Sequence, residues 1–219
     1  GDTDDSWAAG LGIGWGGAAA GIGTIDMSGG KLTVTKGRFG MGMTSACVGT
    51  LNMSGGTIDV QSHNFTAGYS WGGYAAVNMT GGQINVSGWL EASATPDATC
   101  YIHLDGGTLA INGSMALQAT GILDITDGTM TFSSNQIGTV DAAIAAGTLI
   151  AYNGNLRAQI NRDFGVTTAG KTTVTASISD LALPWNPSPS HGTGGLPRLT
   201  TMAWAPGDGA VSHNVYLGT

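Results

Sequence analysis

Charge is scarce in this chain. Lys, Arg, Asp and Glu make up 10% of its 219 residues, where an ordinary globular domain carries about 25%. Glutamate occurs once, as Glu91. Seven basic residues face 14 acidic ones, a net charge of −7. No basic cluster could neutralise a row of phosphates, so no nucleic-acid partner is expected. Heptads of Ala, Glu, Lys, Leu and Arg are absent, which excludes a coiled coil. Proline numbers 6 and the glycines follow no three-residue period, which excludes collagen. No apolar run reaches 18 residues, so no helix is expected to span a membrane. The chain starts at Gly1 with no basic segment leading into an apolar one, and it reads as a processed product or an excised segment. Two cysteines, Cys47 and Cys100, make no disulfide framework. With 42% hydrophobic residues, a disordered chain is excluded as well.

What is present is glycine, 38 residues of it, and it is ordered. Four segments align on a glycine pair: Gly23 to Val34, Gly49 to Val60, Ala75 to Val86 and Cys100 to Ile111. The second of them reads Gly-Thr-Leu-Asn-Met-Ser-Gly-Gly-Thr-Ile-Asp-Val. A fifth, Gly121 to Phe132, has Asp127 in place of the first glycine. The pairs are Gly29/Gly30, Gly55/Gly56, Gly81/Gly82 and Gly106/Gly107, with Gly128 closing the series. Their second glycines are 26, 26, 25 and 21 residues apart. Apolar residues alternate on both sides of each pair, as in Leu51, Met53, Ile58 and Val60. That is the period of a strand. Each copy therefore predicts two short strands joined by a glycine corner, where positive φ carries no penalty.

A third strand follows each copy, marked by Phe39/Met41, Phe65/Ala67, Leu90/Ala92 and Met115/Leu117, with Leu11/Ile13 ahead of the first. Adjacent parallel strands need a long crossover, and the other two strands of each coil supply it. The expected fold is all-β: a right-handed, three-sided parallel β-solenoid of about 5–7 coils, with irregular C-terminal coils and a short β-strand tail. A hairpin-based sandwich would make the 26-residue register accidental. The regular repeats cover 1–132. Irregular closing coils and strands cover 133–183, with Ile137, Val140, Ile144, Leu149, Ile150 and Tyr152 as their apolar positions. A Pro-rich linker with incomplete strands covers 184–219.

Stacking places equivalent residues above one another. One polar ladder reads Asp26, Asn52, Asn78, His103, Asp124, with the last two forming an ion pair. Hydroxyls at Ser28, Ser54 and Thr80 cap the turns, and Met27, Met53 and Met79 stack inside. Cys47 and Cys100 precede their strands two coils apart, about 10 Å, and are expected to be buried and not bridged. Chemistry on glycans needs paired carboxylates or a calcium cluster. Here Glu91 and Asp97 fall in a loop, Asp105 and Asp127 share a corner without a basic neighbour, and Asp2, Asp4 and Asp5 sit in a solvated terminus. The histidines show no metal-ligand spacing. No catalytic residue, metal or cofactor is assigned. Trp15, Tyr69, Trp71, Tyr74 and Trp89 fall in loops or third strands and are candidate contact aromatics.

The repeat Gly49 to Val60 resembles those of β-solenoids in large secreted bacterial surface proteins, themselves similar in fold to autotransporter passengers. The text from Trp185-Asn-Pro-Ser-Pro through Trp204-Ala-Pro-Gly to Ser212-His-Asn-Val-Tyr-Leu-Gly-Thr219 resembles the opening of an immunoglobulin-like or fibronectin type III-like domain. About 35 residues stand where such a sandwich takes ~100. The resemblance implies a secreted or cell-surface structural protein, an adhesive spacer or fibre subunit. Open sheet edges and low charge favour contact between copies, by end-to-end stacking or by donation of a tail carrying Trp204, Val215 and Tyr216. The rival reading is a protein that binds surface glycans, or a lyase or hydrolase that cleaves them.

Overall fold

A computed structural model of the protein describes residues 9–15, 20–69, 72–178, 185–188 and 203–205. Its centre is a parallel β-solenoid of about five turns. One side is a five-stranded parallel sheet of β1 (Ala9–Ile13), β3 (Arg38–Met41), β5 (Phe65–Ala67), β7 (Leu90–Ala92) and β9 (Met115–Leu117). The rest of each coil is one long strand: β2 (Ile22–Val34), β4 (Val48–Val60), β6 (Tyr74–Val86) and β8 (Thr99–Ile111). Only the fifth copy divides, into β10 (Gly121–Ile125) and β11 (Thr129–Phe132).

The register is the one the repeats predict. Ile25 pairs with Leu51, Leu51 with Val77, Val77 with Ile102 and Ile102 with Leu123. On the opposite side Leu11, Phe39, Phe65, Leu90 and Met115 form one column. These columns fill the interior. Phe39, Phe65, Leu51, Val77 and Leu90 are fully buried, and the Phe39 and Phe65 rings stack with centroids 5.0 Å apart.

The corner differs from expectation. The glycine pair is a kink inside a 13-residue strand, where the pairing register shifts between Met27 and Lys31 and again between Met79 and Gln83. Two separate demands put two glycines there. The second one has positive φ, from +74° to +86° at Gly30, Gly56, Gly82 and Gly107. The first sits against the preceding coil: a Cβ on Gly55 would lie 2.5 Å from the Ser28 carbonyl oxygen. At Gly29, on the edge strand β2, a Cβ would meet nothing within 4 Å.

The C-terminal end is closed by elements of other kinds. Helix α1 (Ile137–Ala145) buries Val140 and Ala143 at the end of the five-stranded sheet, beside Met115 and Leu117. Strand β12 (Leu149–Ala151) continues β10 in parallel. Strand β14 (Thr172–Ile178) lies antiparallel on β11, and β13 (Ala158–Phe164) lies antiparallel on β14. The sequence reading had Ile137, Val140 and Ile144 in irregular coils. Their spacing of three and four residues is helical, and a helix is what they form. Beyond residue 178, β15 (Trp185–Ser188) pairs antiparallel with β16 (Ala203–Ala205). The proline-rich stretch expected as a linker thus contains a strand, and Pro187 is tolerated because a two-stranded sheet consists only of edges.

Candidate functional site

The polar ladder lies on the outer face of the long strands. Asp26, Asn52, Asn78, His103 and Asp124 occupy one register column. Asn52 Nδ2 donates to Asp26 Oδ1 at 2.7 Å, and Asn78 Nδ2 donates to Asn52 Oδ1 at 2.8 Å. Each carboxamide has two N–H donors and spends one of them along the ladder. Beside this column run Ser28, Ser54 and Thr80, all exposed. Between the columns is a furrow of about 390 Å³ that runs along the solenoid axis across β2, β4 and β6.

The far end of the ladder has another role. Asp124 is 2% exposed, and both its carboxylate oxygens accept the backbone N–H of Asn153, at 3.1 and 3.0 Å. Tyr152 and Asn153 both have positive φ, the strained turn that brings this amide down onto the column. His103 Nδ1 stands 3.9 Å from Asp124. The ion pair expected there is therefore secondary, because Asp124 latches the C-terminal cap. Nearby, the Tyr152 hydroxyl donates to Asp127 Oδ1 at 3.3 Å. Partial desolvation first, and then the Asp127 charge, hold the phenol above its ordinary pKa.

A second ladder, missed in the sequence, runs on the next side. Asn85 Nδ2 donates to Asp59 Oδ1 at 2.6 Å, and Lys31 Nζ lies 2.6 Å from Asp59 Oδ2. The Lys31 contact first, and the Asn85 hydrogen bond second, hold the Asp59 carboxyl below the usual carboxylate range.

Glu91 is on β7 rather than in a loop. It accepts hydrogen bonds from Asn64 Nδ2 at 2.9 Å and Thr66 Oγ1 at 2.7 Å. Arg38, 4% exposed, reaches to 3.8 Å from Glu91 Oε2, and its guanidinium lies 4.9 Å from the centroid of the Tyr69 ring. Asn64 Oδ1 also accepts the Trp89 backbone N–H at 2.9 Å. This network ties three successive coils together beneath Tyr69. Asp97 is engaged elsewhere, by the Thr95 hydroxyl at 2.6 Å.

The candidate aromatics do not converge on one platform. Trp15 covers β1, where a Cβ on Gly12 would come 2.7 Å from its ring, and it is 50% exposed. Trp89, also 50% exposed, packs over Gly113 at the opposite corner. Tyr74 is the first residue of β6, and Tyr69 is half-buried on Arg38. Trp71, Val215 and Tyr216 lie outside the described residues, as do Asp2, Asp4 and Asp5. Trp204 is in β16 and is 36% exposed. An exposed aromatic that the sequence reading passed over is Tyr101, which stacks on His103 with an interplanar angle of 9°. Its signal was a tyrosine in a column that holds Thr24, Thr50 and Ala76 in the coils before it.

Cys47 and Cys100 are buried and form no disulfide with each other. Cys100 is inside β8 rather than ahead of it, and burial pushes its thiol pKa far up. Among the described residues, no three His, Cys, Asp or Glu side chains converge on a metal site, and no helix is long and apolar enough to cross a membrane. Comparison of the chain with models of protein families, with curated proteins and with solved structures gives no match in any of the three.

Proposed function

We propose that the chain is a structural module of a secreted or cell-surface protein, a rigid spacer that meets a second copy of its own kind at β2. The placement outside the cell rests on the resemblance of its repeats to those of secreted surface proteins. The observation that supports the contact is the inequality of the two ends. The C-terminal end carries α1, β12 and the β13–β14 hairpin. At the other end β2 is the last strand of its sheet among the described residues. Its inward residues Ile25, Met27 and Leu32 are only partly buried, and Ile22 is 81% exposed. An open edge of this length is a template for another strand. Pairing of this edge with the same edge of a second copy gives a closed pair rather than a fibre.

The charges on β2 suit antiparallel pairing with its own copy. A two-fold axis between Ser28 and Gly29 sets Asp26 opposite the second copy's Lys31, and Ile25 opposite its Leu32. Opposite charges across a strand pair contribute roughly 0.2–1 kcal/mol each, and like charges cost as much. The test is sedimentation of the full chain with charge reversals. Dimers are expected, weakened by Asp26→Lys and by Lys31→Asp alone and restored by the two together. A monomer at every concentration, or a dimer indifferent to the single reversals, overturns the pairing.

A further inference from the structure

We infer that the furrow on the outer face of β2, β4 and β6, continued onto the exposed Tyr101 of β8, is a binding site for a linear, uncharged polysaccharide. The inference rests on column chemistry, not on the open edge. Three columns run parallel to the solenoid axis: Thr24/Thr50/Ala76/Tyr101, Asp26/Asn52/Asn78/His103, and Ser28/Ser54/Thr80. The middle column holds carboxamides with an N–H to spare, and the outer one holds exposed hydroxyls. Together they offer donors and acceptors repeating once per coil, about 4.8 Å. An extended β-1,4-linked glycan advances by nearly that distance per sugar and turns each sugar over relative to the last, so one sugar falls on each coil and the same contact recurs on every second coil.

At β8 the first two columns turn aromatic. Tyr101 is 41% exposed and its ring is within 9° of parallel with His103. An apolar plate at the head of a polar furrow is what the C–H face of a pyranose packs against. The charges argue for a neutral chain. Asp26 stands at one end of the furrow and the exposed Asp105 follows Thr80 near the other, so a uronic-acid polymer would meet like charge. The furrow crosses β2, β4 and β6, and with Tyr101 one strand further the site spans three strand spacings, about 14 Å, enough for about three sugar residues.

Cellohexaose and chitohexaose serve as probes on the full chain, followed by calorimetry and by backbone amide shifts. Saturable binding of at least one probe is expected, with shifts confined to 24–28, 50–54, 76–80 and 101–105. Tyr101→Ala and Asn78→Ala should each weaken it roughly tenfold, and Thr131→Ala, on another side, should not. Tyr101→Phe keeps the plate and should retain binding. If a truncation variant fails to fold, the shift map of the unaltered protein still decides. No saturable binding of either probe, shifts elsewhere on the surface, or affinity unchanged in both Ala variants overturns the site. Lys31→Asp, which tests the β2 pairing, lies outside the furrow, and the sugar titrations use chains with β2 unaltered, so the two proposals fail separately.

Discussion

Ser93 stands where three glycines stand in other coils. The residue after each of the first four strands of the five-stranded sheet takes positive φ: Gly14 at +60°, Gly42 at +56°, Gly68 at +70° and Ser93 at +53°. All but the first donate to the strand of the preceding coil, Ser93 N to the Ala67 carbonyl at 2.8 Å. The left-handed region costs a non-glycine residue roughly 1–2 kcal/mol. Ser93 is also fully buried, and its hydroxyl has no hydrogen-bond partner, which adds about 1 kcal/mol. Glycine would relieve both, at the expense of roughly 0.5–1 kcal/mol of unfolded-chain entropy. Ser93→Gly is therefore expected to stabilise the protein by about 1 kcal/mol, a rise of roughly 2–4 °C in Tm for a chain of this size. A lower Tm in calorimetry would show that the serine hydroxyl is satisfied in solution.

At the scale of elements, what the sequence disclosed follows from period. Side chains alternate strictly along a strand, and a one-residue slip would expose every apolar one. The columns Ile25–Leu51–Val77–Ile102 and Phe39–Phe65–Leu90 were therefore legible to the residue, and so was the Asp26–Asn52–Asn78 ladder one residue along from the first of them. The corner was half legible. Two glycines signalled a bend, but alternation resumes on the far side of it, so nothing in the pattern shows that one strand passes through. Helix α1 was obscured by its own weakness: it has nine residues, no side-chain cap at Gln136 and Gly138 near its start. Tyr101 was obscured because it lies inside a strand and not in a loop, and the Asp124 latch because its partner is a backbone amide 29 residues on. That latch makes a prediction for the cap as an element. Charged hydrogen bonds are each worth about 1.5–3 kcal/mol, and removing the carboxylate strands the Asn153 amide. Asp124→Ala should loosen the cap by roughly 2–3 kcal/mol. Hydrogen exchange should then speed up at Leu149–Ala151 and α1 while the amides of β4 and β6 stay protected. Uniform acceleration along the chain would mean that the cap and coils unfold as one body.

Over the whole molecule, charge is distributed by coil. No Lys or Arg occurs between Arg38 and Arg157. In a stack, a residue repeated at one position meets its copies about 4.8 Å above and below, and like charges there repel. Interior coils therefore use Asn, Thr and Ser, which hydrogen-bond along the axis, while Lys31 on β2 and Arg162 on β13 mark the two edge strands, where charge also discourages indiscriminate pairing. A stack in which each coil touches only its neighbours loses coils from its ends. Its ends here are unequal, with β2 half-covered and the far end latched. The cysteines report the difference. Cys47 adjoins the first coil, since its Sγ accepts the Gly21 backbone N–H at 3.3 Å. Cys100 lies between β6 and β10, with its thiol pKa pushed up by burial, and only a thiolate reacts with disulfide reagents. Opening of β2 should uncover Cys47 while the later coils stay closed. In thiol labelling under native conditions, Cys47→Ser and Cys100→Ser variants let each site be read alone. Cys47 should label at least about tenfold faster than Cys100, with Cys100 following global unfolding. Equal rates, or Cys100 first, would mean that the solenoid opens from its capped end or all at once.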